Sequence, residues 1–210
     1  LKIVYEDPYL IVIDKQPGLL SIATDDKRET TAYSILNAKV RQLNPDERIF
    51  VVHRLDRDTS GLMMFAKSWD VKQKLQLAWN DAVEERSYVA VVEGQVEAEQ
   101  GTLTSWLKQN KALKMYSSRT ERDGAQKAVT HYRVLRRGKD STMLELNLET
   151  GRKNQIRVQL SDMGHCVVGD RKYGAAKSPI GRMALHARLL AFTHPVTGVP
   201  LRFETQVPGA

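Results

Sequence analysis

The stretch VVHRLDRDTSGLMMFAK, residues 51–67, decides how this chain is laid out. Two apolar residues lead into His53, Arg54, Asp56, Arg57 and Asp58. Thr59, Ser60 and Gly61 then lead into GLMMFAK, a second apolar run of strand length. Polar residues crowded between two runs that need burial predict a loop at the end of a sheet, where function concentrates. The plainer reading is a tight turn whose Asp and Ser side chains satisfy backbone donors.

Outward from that loop, LKIVYEDPYLIVIDKQPGLLSI (1–22) reads as two short strands around Pro8, followed by a Pro17-Gly18 turn. TTAYSILNAKVRQL (30–43) spaces Ala32, Ile35, Leu36, Val40 and Leu43 as a helix does, with Thr30 or Thr31 as the N-cap. SWDVKQKLQLAWND (68–81) predicts an amphipathic helix capped by Ser68, with Trp69, Leu75 and Trp79 toward the core. SYVAVVEG, GTLTSWLKQ, KAVTHYRVLRR, STMLELNLE, LHARLLAFTHP and VPLRFETQVP are strand-like, the last two separated by a Thr197-Gly198 turn. NKALKMYSSRTERDGAQ (110–126) is polar, basic and aperiodic, the texture of a long exposed loop or a mobile hairpin. NQIRVQLSDMGH puts Ile156, Leu160 and Met163 at helical spacing, with Gly164 placed to end the helix. Strands outnumber helices and do not alternate as βαβ units, so the expected class is α+β with a mixed, mostly antiparallel sheet and flanking helices.

With 210 residues, 41% hydrophobic and 27% charged, the chain has the balance of a globular protein, one large domain or two small ones. No apolar run nears the roughly 20 residues of a membrane span, and the start lacks a charged-then-apolar signal pattern. Cys166 is the single cysteine, which fits a reducing cytoplasm and predicts a small buried core residue. The net charge of +7 is uneven. Residues 1–107 hold 13 basic and 17 acidic side chains, whereas 108–188 hold 18 and 7. A one-signed field in part of a chain attracts polyanions by releasing their counterions, although a solvated basic surface is the bland alternative.

Several sharper readings fail. HRLD is reminiscent of a kinase catalytic loop, but no glycine-rich phosphate loop or D-F-G accompanies it. Asp56 and Asp58, two residues apart in a loop, do not guarantee the facing carboxyl groups of a glycosidase. The five His are scattered at 53, 131, 165, 186 and 194, so no metal site is expected. ETGRKNQIRVQL (149–160) is more informative. Arg152, Lys153 and Arg157 stand at the start of a helix, where cations oppose the macrodipole, so they do not serve the helix. Such a placement suits an anion, either a phosphate or a carboxylate. Tyr88 alone would signify only a strand aromatic.

Together these pieces resemble the RluA-type family of pseudouridine synthases. HRLDRDTSGL is similar to the family's H-R-L-D-x-x-T-S-G-L signature, RSYVAVVEG to its K-x-Y-x-A-x-V-x-G strand, and TGRKNQIRVQL to its T-G-R-x-H-Q-I-R-x-H segment. GDRKYG (169–174) and LHARLLAFTHP (185–195) resemble two further segments, all in the family's order from about Val4 to Phe203. The resemblance implies the pseudouridine synthase fold, a mixed sheet with helices and loops around a central catalytic cleft, as one catalytic domain over 1–210. Nothing in the chain resembles the S4-like module that family members often carry.

It also implies an enzyme that isomerises uridine in ribosomal or transfer RNA, in a loop or single-stranded context. Asp56 matches the essential aspartate, Tyr88 the tyrosine that packs on the target base and is a candidate to take the C5 proton, and Arg157 the cation that keeps the aspartate ionised. Arg54 matches the arginine that fills the gap left by a flipped nucleotide. Arg57, Arg86, Arg152, Lys153, Asn154, Lys111, Lys114 and Arg119 are expected to contact RNA. Breaking the N1–C1′ bond, turning the base and joining C5 to C1′ needs a carboxylate against positive charge at the sugar, and no cofactor, because no redox change or group transfer occurs. The chain departs from the family at KQPG, where Pro17 stands one place late, at Arg86 for lysine, and at Asn154 for histidine. A catalytically silent RNA-binding domain and an N-glycosidase releasing free uracil are the rival readings. A monomer is the default expectation.

Overall fold

The computed structural model describes residues 1–24, 29–79, 83–176 and 178–209. In chain order these form β1 (Lys2–Glu6), β2 (Leu10–Lys15), α1 (Ala32–Leu43), β3 (Phe50–Val51), β4 (Ser60–Ala66), α2 (Trp69–Leu77), β5 (Val83–Glu93), β6 (Gln100–Gln109) and β7 (Met115–Ser118). There follow β8 (Gln126–Arg137), β9 (Ser141–Leu148), α3 (Gln155–Asp162), a 3-10 turn at Arg171–Tyr173, β10 (Leu185–Thr193) and β11 (Pro200–Glu204). The expected class, α+β with a mixed and mostly antiparallel sheet, is what the chain adopts. Two compact units divide it, Leu1–Glu85 with His186–Ala210, and Arg86–Leu185.

In the first unit the strand order is β1-β2-β4-β10, with β3 on β4 and β11 on β10. Its pairs are antiparallel except β4 with β10, which run parallel through His186–Ser60 and Ala187–Gly61. Strand β4 is buried at every position, as its unbroken apolar run requires. Gly61 has φ +112°, and a Cβ there would stand 2.1 Å from the Ala187 carbonyl oxygen, so the parallel neighbour comes this close only to a glycine. Helix α1 starts at a Thr31 capping box with Ser34, and α2 at Ser68, whose side chain accepts from the Val71 amide. Leu10, Val12, Leu62, Met64, Leu75 and Phe192 lie in this unit's core.

In the second unit the order is β5-β9-β8-β6-β7, with α3 against β6 and β7. Strand β9 alternates half-buried and buried residues from Ser141 to Leu146, the pattern of a strand with one covered face. Ala90, Val92, Leu144, Leu146, Ile156 and Leu160 form its core. Within the aperiodic 110–126 segment, β7 pairs with β6 as a hairpin, and residues 119–124 are exposed. Met115 on β7 is buried, and Asn110 Oδ1 accepts from the Ala112 and Lys114 amides at the turn.

Two expectations are corrected. Trp69 is 51% exposed rather than in the core, because it opens α2 and packs only edge-on, against Phe50 of β3. Cys166 is only half-buried, its thiol donating to the Tyr173 carbonyl at 3.1 Å. The last two residues of the 68–81 prediction, Asn80 and Asp81, lie outside the described residues.

Candidate active site

The loop that carries Asp56 is fastened by its main chain. The Lys15 ammonium, with its residue 0% exposed, donates to the carbonyls of Gln16 (3.0 Å), Leu19 (2.8 Å) and Arg57 (3.0 Å). A buried lysine is tolerable only when its protons find acceptors, and here three carbonyls receive them. The Gly18 amide also donates to Arg57 O at 2.9 Å, and Arg57 Nε to Gly18 O at 3.2 Å, so the 15–21 turn and the Asp56 loop hold each other. Ser21 clamps Leu55 from both sides, its hydroxyl donating to Leu55 O at 2.6 Å and accepting from Leu55 N at 3.1 Å. Thr59 N closes the turn on Asp56 O at 3.1 Å. His53 points inward, where Nε2 accepts from the Met64 amide at 3.0 Å and the ring meets Trp79. At the far end Ser60 Oγ bonds the buried His186 Nδ1 at 2.8 Å, and His186 Nε2 bonds Thr205 Oγ1 at 2.6 Å. Asp56 is half-buried, while Arg54, Arg57 and Asp58 are exposed.

In the second unit, Tyr88 sits half-buried on β5, opposite Leu146 of β9. Arg86, two residues earlier on the same face, donates to Glu149 O at 3.1 Å. Burial lowers the Arg86 guanidinium's pKa from its ordinary value, with Tyr88 acting to raise it and Arg152 to lower it further. Arg157 projects from the first turn of α3. Its Nε donates to Asp170 Oδ2 at 2.7 Å and its Nη2 to Asp170 Oδ1 at 2.8 Å. Helix α3 opens on Asn154, in the left-handed region at φ 54°. Behind it lies a buried amide network. Gln155 donates to Val129 O and Thr130 Oγ1, and Gln159 to Leu103 O, Ser105 Oγ and Ala128 O. The helix that presents Arg157 is thereby tied to β6 and β8 through side chains that leave few polar atoms unmet. Among the described residues no three His, Cys, Asp or Glu side chains form a metal-ligating group.

A family model described as RNA pseudouridylate synthase matches residues 9–162. The chain belongs to that family. An uncharacterized RNA pseudouridine synthase of Bacillus subtilis, YjbO, is 38% identical over 99% of this chain and 73% of its own length. The ribosomal large subunit pseudouridine synthase D of Pseudomonas aeruginosa is 35% identical over 99% of this chain and 68% of its own. Among solved structures, human RNA pseudouridylate synthase domain containing 4 superposes with a TM-score of 0.78 at 25% identity, over 99% of this chain and 89% of that one.

Of the candidate RNA contacts of this family member, Arg86 is half-buried on β5. Arg54, Arg57, Lys111, Lys114, Arg119, Arg152 and Lys153 are exposed. Asn154 is not: it is 8% exposed, and its Oδ1 accepts from the Tyr173 hydroxyl at 2.8 Å, so its side chain works inside the fold. Sequence reasoning gave no part to Lys15, Ser21 or Asp170. A lysine buried by carbonyls has no local signature. Asp170 did carry one, a Gly-Asp pair opening a tight turn, but its partner Arg157 lies 13 residues away.

Proposed function

We propose that this pseudouridylate synthase isomerises uridine in ribosomal RNA, in a loop or single-stranded stretch, as a cytoplasmic monomer whose residues 1–210 work as one catalytic domain. Relatives named for the ribosomal large subunit support the substrate. Among the described residues no helix is long and apolar enough to cross a membrane.

The observation that carries the reading is the main-chain fastening of the Asp56 loop by Lys15 and Ser21. A carboxylate that must meet one sugar carbon needs a backbone already in place, since pre-organised geometry lowers the barrier without reorganisation during reaction. Asp56 stabilises or captures positive charge at C1′ as the N1–C1′ bond breaks. Uracil turns, C5 joins C1′, Tyr88 takes the C5 proton and passes it to water, and N1 takes a proton from water in its place, so atoms and electrons balance with no redox change. Arg157 supplies the cation of the reaction. Arg54 fills the space of the flipped base, and Arg57, Arg86, Arg152, Lys153, Lys111, Lys114 and Arg119 meet the RNA backbone.

The test uses ribosomal and transfer RNA tritiated at uridine C5, taken from cells lacking this protein. Parental protein should release tritium and leave pseudouridine in the nuclease digest, while Asp56→Asn should release none. Tight binding without release would favour a silent RNA-binding domain, and free uracil would favour an N-glycosidase.

A further inference from the structure

The segment GDRKYG resembles a family segment, yet the reaction as derived gives it nothing to do. In the structure it cradles Arg157. The Asp170 carboxylate takes both hydrogen bonds of the guanidinium fork, with side chains 1% and 12% exposed for Asp170 and Arg157. The guanidinium carbon lies 5.0 Å from the centroid of the Tyr173 ring. A bidentate carboxylate sets the plane and heading of an arginine, and a ring beneath it limits its swing.

The cradle is itself fixed. Gly169 has φ +82°, and a Cβ there would meet Arg182 O at 2.2 Å. The Tyr173 hydroxyl donates to Asn154 Oδ1 at 2.8 Å and accepts from Met115 N at 3.2 Å, while Ser161 Oγ donates to Tyr173 O at 2.7 Å. Folding alone gives weak reason for such a pair, because taking two charges out of water offsets most of their attraction. Nor does stability favour crowding cations, yet Lys114 and Lys172 also lie 5.3 and 5.8 Å from the Tyr173 centroid. Gathered like charges are costly unless a polyanion is to be met.

We propose that Asp170 and Tyr173 are positioning residues, which aim the Arg157 guanidinium for pseudouridine formation without touching the RNA. The inference rests on the reading of Arg157 as the cation of the reaction.

The experiment compares the parental chain with Asp170→Asn, Tyr173→Leu and Arg157→Lys, on unmodified ribosomal RNA tritiated at uridine C5. Asp170→Asn is expected to lower kcat by about 10- to 100-fold, the cost of a displaced catalytic group, and to change KM by less than about twofold. The Arg157 Nε–H signal in nitrogen–proton spectra, identified by its loss in Arg157→Lys, should exchange slowly with solvent in the parent and rapidly in Asp170→Asn. Tyr173→Leu keeps the ion pair, removes the ring, and should lower kcat in the same sense by a smaller factor. If Asp170→Asn does not fold, the kcat of Tyr173→Leu decides. Parental kcat in both variants, a loss carried by KM, or unchanged Nε–H exchange in Asp170→Asn would overturn the inference. Parental turnover by Arg157→Lys would overturn the reading beneath it as well. A slow Arg157→Lys beside a parental Asp170→Asn would overturn the positioning role alone.

Discussion

The two units hold their principal candidate residues by opposite means. In the first, Asp56 rides on a loop gripped through peptide groups, with Lys15 and Ser21 bonding the main chain on either side of it. In the second, Arg157 is gripped at its own charged group by Asp170 and by the face of Tyr173. A short aspartate has few torsions, so fixing its backbone nearly fixes its carboxylate. A long arginine has many, so its helix can be rigid while its guanidinium wanders. The means of support follows the length of the side chain supported.

That contrast can be broken most severely at Lys15. Lys15→Met keeps the bulk, strands the Gln16 and Leu19 carbonyls and leaves Arg57 O to the Gly18 amide alone, and should cost about 4 kcal/mol in a urea titration, as several unmet buried groups do. Asp56-dependent tritium release should fall with it. Next come the two glycines that let a neighbouring carbonyl approach, Gly61 at Ala187 and Gly169 at Arg182. Each Gly→Ala change should cost about 3 kcal/mol, from positive φ and a backbone clash together, read from the same titrations. If Gly169→Ala is tolerated, the second unit's support is looser than its geometry suggests. Tyr173→Phe keeps the ring but removes the hydroxyl that bonds Asn154 Oδ1 and Met115 N, which should cost about 1–2 kcal/mol.

The smallest effect is in acid, at a carboxylate of the first unit remote from the Asp56 loop. Burial pushes the Asp7 carboxyl up, but hydrogen bonds from the Tyr5 hydroxyl, the Tyr9 and Leu10 amides and His194 outweigh it, leaving its pKa below the ordinary 3.8. Its stabilisation is therefore full above that ordinary value and disappears as the pH falls through the lowered one. Asp7→Asn should flatten the acid limb of a stability–pH curve and leave tritium release at neutral pH unchanged. An unaltered acid limb would show that Asp7 keeps its partners in the unfolded chain.

Much of this was legible in sequence where a pattern is local. The alternation of β9, the unbroken apolar run of β4 and the caps Thr31 and Ser68 each follow from residues within one element. Trp69 was misread because helical spacing gives a side chain's direction around the axis and not how much of it a neighbour covers. Cys166 was misread because its surroundings are set by the turn at Tyr173 rather than by its own neighbours. The motif residues Asp56, Tyr88 and Arg157 stood out by type and order. Their supports did not, because Lys15 meets Arg57 across 42 residues and Ser21 meets Leu55 across 34. Such pairings are products of topology, invisible until the strands are placed.

The burial of Lys15 has a chemical consequence. Acylating reagents attack the neutral amines of exposed lysines, and this amine is sheltered and engaged with three carbonyls. It can react only when the 15–21 turn lets go of the Asp56 loop. The slow acylation of that one nitrogen is therefore a clock for how often the loop opens.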